Sequence, residues 1–133
     1  MKEENNRLFL QALLILIAFP LTASILAALT MIILPEWASI LLMICIGLAL
    51  HFLCRKKLSY LFAAKIHLYA LGIYVLVFTI LMIIASGTLE GKVMALLAWP
   101  LFPFFPIYGI LQMMGDLWVF YLTVFLWHLV CAI

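Results

Sequence analysis

Charged residues are scarce in this chain of 133 residues, where Asp, Glu, Lys and Arg together make up only 9%. A soluble domain has about a quarter of its residues charged, whereas 71% of this chain is hydrophobic. Such a composition leaves too little polar surface to cover a water-soluble fold. The net charge of +2 is too small to favour nucleic-acid binding. The sequence therefore predicts a single domain, residues 1–133, that lies in a lipid bilayer.

The sequence also lacks the motifs that identify an enzyme. Its acidic residues outside the N-terminal segment are Glu36, Glu90 and Asp116, which are widely separated in the chain. Hydrolysis of a lipid needs a nucleophile with a base or a pair of carboxylates, and no such pair is evident. We therefore expect no catalytic residue, no cofactor and no enzymatic activity.

Metal-binding patterns are missing as well. The three cysteines show no paired spacing, and there is no His-x-x-x-His motif. The three histidines, His51, His67 and His128, would all lie toward the cytoplasmic side of the membrane. A metal site, however, needs three or four converging ligands. We predict no metal site.

Four long apolar runs dominate the chain, and each is about as long as a bilayer-spanning helix, which needs roughly 20 residues. They are Leu8–Leu34, Trp37–Cys54, Ile66–Ser86 and Ile107–Ile133. This pattern predicts an all-α fold, a polytopic transmembrane helical bundle with four spans. Because the turn at Pro35 and Glu36 is very short, the first two spans should form a tight antiparallel hairpin.

The basic residues are unevenly distributed along the chain. Six of them lie before the first run or between the second and third: Lys2, Arg7, Arg55, Lys56, Lys57 and Lys65. Positive charge in short loops marks the cytoplasmic side. We therefore expect a multi-pass protein of the plasma or inner membrane with a cytoplasmic N-terminus, a cytoplasmic Arg55–Lys65 loop and a cytoplasmic C-terminus. Arg55, Lys56 and Lys57 are candidates for contacts with anionic lipid headgroups.

The first run contains a proline and a stripe of small residues. Pro20 leaves one helix carbonyl without its donor, and Thr22 or Ser24 could bond to it. Ala23 and Ala27 lie four residues apart, a spacing that lets another helix approach closely. We interpret the stripe as packing within the chain, with a dimer interface as the alternative.

Prolines at positions 100, 103 and 106 recur at every third residue before the last run. A regular α-helix does not accommodate Pro103 and Pro106, because each removes a backbone hydrogen bond. We predict a non-helical elbow that leads into a last span starting near Ile107. In the alternative, Lys92–Met114 is a broken span and a fifth helix follows.

Polar residues follow one face of the predicted last span. Tyr108, Gln112 and Asp116 are spaced by four residues, and Asp116 would lie near mid-depth. A carboxylate there costs about 2.5–3.5 kcal/mol on insertion scales, so it should face protein or water. We predict an intramembrane polar site of Asp116, Gln112, Tyr108 and His67. The alternatives are a packing hydrogen bond or a simple Gly-Asp turn. In the five-span arrangement the C-terminus would lie outside.

These features favour a protein that acts through helix-helix contacts, as an accessory subunit, assembly factor, regulator or immunity-type protein. Its expected partners are the lipid bilayer and another membrane protein or a second copy of the chain. The alternative is a small oligomeric transporter or channel that uses Asp116 as its coupling carboxylate.

Overall fold

The computed structural model describes residues 1–54, 59–85 and 99–133, and all regular secondary structure there is helical. The elements are α1 (Lys2–Leu13), a π-helical turn (Leu14–Ala18), α2 (Phe19–Thr30), α3 (Glu36–Cys54), α4 (Tyr60–Ala85), a 3₁₀ helix (Trp99–Phe104), α5 (Phe105–Met114) and α6 (Leu117–Ala132). Helices satisfy their own backbone hydrogen bonds, as a lipid environment requires. The all-α prediction is confirmed.

Three helices in these described ranges are long and apolar enough to cross a membrane: Lys2–Thr30, Glu36–Cys54 and Tyr60–Ile80. They correspond to the first three apolar runs of the sequence, although α4 begins six residues before the predicted start at Ile66. The remaining apolar helices, Pro100–Met114 and Leu117–Ala132, are shorter.

The continuous last span predicted over Ile107–Ile133 is wrong, because the helix ends at Met114 and restarts at Leu117. Gly115 has a φ of 85°, a left-handed conformation that glycine adopts at little cost. The amides of Gly115 and Asp116 close the end of α5 by donating to earlier carbonyl groups, at 3.2 and 3.0 Å. This is a Schellman motif, and it turns the chain from α5 into α6.

The predicted non-helical elbow is also wrong in its local structure, because Trp99–Phe104 forms a 3₁₀ helix. Proline's fixed φ of about −65° suits a 3₁₀ helix as well as an extended segment. Pro106 lies in the first turn of α5, where its missing N–H has no intrahelical partner to lose.

The C-terminus lies beside the start of α4, since the Tyr60 hydroxyl donates to the carbonyl of Ile133 at 2.6 Å. The turn at Gly115 and Asp116, which the five-span alternative included, is present. The number of spans and the side of the membrane on which the C-terminus lies stay predictions.

A π-helical turn precedes Pro20 in the first long helix. The Phe19 amide donates to the Leu14 carbonyl, five residues earlier, as a π-helix requires. The Thr22 hydroxyl donates to the Ala18 carbonyl at 2.7 Å, rather than to the carbonyl four residues before Pro20. The π turn thus provides the local irregularity that lets a proline lie within a continuous helix.

The hairpin of α2 and α3 is confirmed, because these two helices pack against each other across the short connection from Met31 to Pro35. Ala23 and Ala27 are fully buried in the main hydrophobic core of the chain. The small-residue stripe therefore serves contacts within the chain, as interpreted from the sequence.

The buried face of α3 includes a serine, a glycine and a histidine. Ser39, Met43, Gly47 and His51 are buried at a spacing of four, while Leu41, Phe52 and Leu53 are exposed. Small and polar residues face protein when the surroundings are lipid, because small side chains allow close packing and polar groups need partners. Gly47 contacts the ring of Trp127 in α6, so α3 and α6 lie very close at this level.

We predict that Gly47→Ala destabilises the fold. A Cβ atom at this position would overlap the six-membered ring of Trp127, which is buried and cannot move freely. Overpacking of this kind costs about 1–3 kcal/mol, and the thermal midpoint in detergent should fall. Gly72→Ala is the matched control, since no heavy atom of the described residues lies within 4 Å of a Cβ there. Equal midpoints for the two variants would contradict the packing.

Candidate functional site

Helices α4 and α6 run antiparallel and are joined by polar contacts along their length. In addition to the Tyr60 contact with the chain end, the Tyr74 hydroxyl donates to the carbonyl of Tyr121 at 2.7 Å. Between these two contacts, the Nδ1 atoms of His67 and His128 lie 3.4 Å apart. We call this helix pair, with its three cross-contacts, the α4–α6 seam.

Three histidines from three helices meet at the middle of the α4–α6 seam. His51, His67 and His128 are 8%, 1% and 4% exposed. The ring centroids of His51 and His67 are 5.5 Å apart, and those of His67 and His128 are 5.7 Å apart. Phe104 of the 3₁₀ helix packs edge-on against His128 at 5.9 Å. The cluster therefore lies where α3, α4, α6 and the 3₁₀ helix converge.

The separation of the His67 and His128 rings fits a weak hydrogen bond between two imidazoles. A neutral imidazole has one donor and one acceptor nitrogen, so one ring donates and the other accepts. The second nitrogen of His67, Nε2, is buried and has no hydrogen-bond partner among the described residues. In the same part of the chain, no group of three or more His, Cys, Asp or Glu side chains is arranged to hold a metal ion.

A cavity of about 640 Å³ lies beside His128, within the 300–1,000 Å³ typical of small-molecule sites. It is bounded by the first long helix, by α4 and by the segment from Pro100 to Phe105. Of the described side chains that line it, only those of Tyr69 and His128 are polar. Phe9 and Tyr69 at its rim are 67% and 73% exposed, so the cavity opens on the side of the molecule.

Ser24 fixes the segment that forms one wall of this cavity. Its hydroxyl oxygen, buried in α2, accepts the backbone N–H of Ile107 at 3.3 Å. Ile107 lies in the first turn of α5, where backbone N–H groups have no intrahelical partner. Phe104, the residue just before α5, provides no side-chain cap. Ser24 therefore supplies from a neighbouring helix the acceptor that a capping residue usually provides.

Asp116 does not lie within a continuous last helix, and this corrects the prediction. It precedes α6 directly, after the turn at Gly115. Its carboxyl group lies near that of Glu36 at the start of α3. The Gly-Asp turn, the simpler interpretation of the sequence, describes this residue.

The other predicted site residues are not brought together either. Tyr108 is half-buried, with its ring 5.0 Å from that of Phe120. Gln112 is exposed. His67 faces His128 in the α4–α6 seam. The predicted polar site of Asp116, Gln112, Tyr108 and His67 is therefore dispersed, and only His67 belongs to the histidine cluster.

One prediction concerns a segment outside the described residues, because the candidate headgroup contacts Arg55, Lys56 and Lys57 lie there. It stays a prediction.

His51 and His128 were missed as members of a site. The sequence did predict that all three histidines lie toward the cytoplasmic side of their helices, which indicates a similar depth. It did not show that their helices are neighbours, because the contact between His67 and His128 joins residues 61 positions apart.

Comparisons with protein-family models, curated proteins and solved structures give no significant match. The function of the chain is therefore argued from its own residues and their geometry.

We predict that Ser24→Ala lowers the unfolding free energy by about 1–3 kcal/mol, because it leaves the buried N–H of Ile107 without an acceptor. Thr22→Ala is the control, since that exposed hydroxyl donates only to a carbonyl of its own helix. Its effect should be within about 0.5 kcal/mol. Denaturant titration in mixed micelles measures both values, and equal losses would argue against the capping role of Ser24.

Proposed function

We propose that this chain is a multi-pass integral membrane protein that acts without catalysis, through contacts between its helices and those of a partner. The partner is another membrane protein or a second copy of the chain. Long apolar helices with exposed leucine, isoleucine and phenylalanine side chains support a location in the bilayer.

The observation that carries the proposal is one exposed face of α5. Phe105, Gly109, Gln112 and Met113 are all exposed, and their spacing of three and four residues puts them on one side of the helix. We call these four residues the α5 face. No heavy atom of the described residues lies within 4 Å of a Cβ built at Gly109.

The chemistry of the α5 face suits a second helix better than lipid. The Gln112 amide can both donate and accept hydrogen bonds, and hydrocarbon offers no partner for it. A glycine beside it lets a second helix approach closely, and amide side chains bond across such interfaces. Met113 is 88% exposed and adds a flexible apolar contact.

We prefer this proposal to the alternative, an oligomeric transporter or channel, because the carboxylate proposed for coupling, Asp116, directly precedes α6 and does not lie within a continuous helix. The three histidines remain as buried polar groups, but they lie within the packed helices of one chain.

We predict that a photoreactive amino acid at position 113 crosslinks to a defined protein in native membranes, either a second copy or another membrane protein. The same probe at position 76, which is 60% exposed on α4, should crosslink mainly to lipid. Mass spectrometry of the products measures both. Equal patterns at the two positions would argue against a partner on the α5 face.

Gly109→Leu and Gln112→Leu should each reduce the crosslink from position 113. A hydrogen bond between membrane helices contributes about 1 kcal/mol, so loss of the Gln112 amide should lower the association constant roughly fivefold. Gly72→Leu is the control, because Gly72 also faces open space but lies on α4. A loss of equal size in the control would contradict a role specific to the α5 face.

We propose that the N-terminus, the C-terminus and the segment 55–65 face the cytoplasm, since six of the seven basic residues lie before the first run or in that segment. In a cysteine-free background, a membrane-impermeant thiol reagent added outside should label Glu36→Cys and miss Lys57→Cys. Labelling of Lys57→Cys alone would reverse the orientation.

A further inference from the structure

We propose that the cavity beside His128 binds an isoprenoid quinone, with its ring between the proline segment and α4 and one ring carbonyl accepting a hydrogen bond from His128. The proposal is independent of the partner bound at the α5 face. It is based on the direction of the imidazole hydrogen bond and on the walls of the cavity.

The first step concerns which nitrogen of His128 carries its proton. If His128 donated from Nδ1 to His67, the Nε2 of His67 would be an N–H group that is buried without a partner. If His67 donates instead, its Nε2 is an unpaired acceptor. Buried N–H groups without partners are rarer than under-satisfied acceptors. The second arrangement is therefore favoured, and it puts the proton of His128 on Nε2.

The second step concerns what His128 offers to an occupant. Its Nδ1 is engaged with His67, and its ring forms part of the cavity wall. Nε2–H is then the donor that this ring can present to a molecule in the cavity. A polar group in an apolar cavity is costly unless it is hydrogen-bonded. The occupant is therefore expected to carry an acceptor such as a carbonyl oxygen.

The third step concerns the shape of the walls. Four aromatic side chains and two proline rings line the cavity: Phe9, Tyr69, Phe102, Phe105, Pro100 and Pro103. Aromatic side chains pack well against another flat ring, either offset or edge-on. Along α4 the lining extends from Ile66 to Ile73, about 10 Å along the helix axis. A quinone ring with the first part of its isoprenoid chain suits such a site, and the open side gives the rest of the chain an exit.

The lining of the cavity favours a quinone over a phospholipid. A phospholipid carries a charged headgroup, and none of the described residues that line the cavity is charged at neutral pH apart from any protonated fraction of His128. A quinone carries its carbonyl acceptors on an uncharged, flat ring. A partner helix, about 10 Å wide, is too large for the cavity.

The test uses the full chain in lipid nanodiscs and a photoreactive ubiquinone analogue. We expect saturable labelling of peptides from α4 and from residues 99–105, suppressed by excess unlabelled quinone. Ala70→Phe should abolish it, because Ala70 lines the cavity without belonging to the histidine cluster. Gly72→Phe adds the same side chain to α4 where a Cβ meets open space, and should leave labelling unchanged.

His128→Phe keeps an aromatic ring but removes the donor, and it should weaken binding roughly fivefold, as expected for one hydrogen bond. Tyr69→Phe removes the other polar group of the wall and should have no effect. Labelling that excess quinone does not suppress, or that persists in Ala70→Phe, overturns the proposal. So does native mass spectrometry that finds only phospholipid, displaced by Ala70→Phe. Equal weakening by Tyr69→Phe overturns the assignment of the donor to His128.

Discussion

The rest of the structure depends on the pairing of α4 with α6. A polar side chain on a membrane helix needs a protein partner, because hydrocarbon offers none. The α4–α6 seam provides such partners at three levels: the Tyr60 hydroxyl at the chain end, the His67–His128 pair, and the Tyr74 hydroxyl on a backbone carbonyl. These contacts fix the register of the two helices, and the register determines which ring faces the cavity.

The proline segment links the two surfaces proposed to be functional. Ser24 holds the start of α5 against α2. Phe104, the residue that precedes α5, packs on the ring of His128. Phe105, the first residue of α5, belongs both to the cavity wall and to the α5 face. A molecule in the cavity would therefore touch the same helix that presents Gly109 and Gln112 to a partner.

The sequence predicted those parts of the fold that follow from hydrophobic length. Uninterrupted apolar runs define α3 and most of α4, and the short turn before Glu36 defines the hairpin. The prediction from sequence failed where local hydrogen bonding determines where a helix ends. The apolar run from Ile107 to Ile133 resembles one span, and the turn at Gly115 that divides it was predicted only as an alternative.

Most of the candidate site could not be predicted, because it depends on which helices are neighbours. The spacing of Tyr108, Gln112 and Asp116 would form a stripe only on an unbroken helix, and the turn disperses it. His51, His67 and His128 lie on three helices, and their meeting follows from helix packing rather than from spacing. His67 belongs both to the predicted site and to the observed cluster. A polar residue within an apolar run needs a partner whichever helices are neighbours, so this prediction does not depend on the topology.

The coupling between His67 and His128 is the most direct test of the α4–α6 seam. It is obtained by measuring the unfolding free energy of the chain, of His67→Phe, of His128→Phe and of the double variant in mixed micelles. If the two rings are paired, the double variant should differ from the sum of the single variants by about 0.5–3 kcal/mol. Additivity within about 0.3 kcal/mol, as for independent distant sites, would contradict the pairing and the orientation of His128 that depends on it.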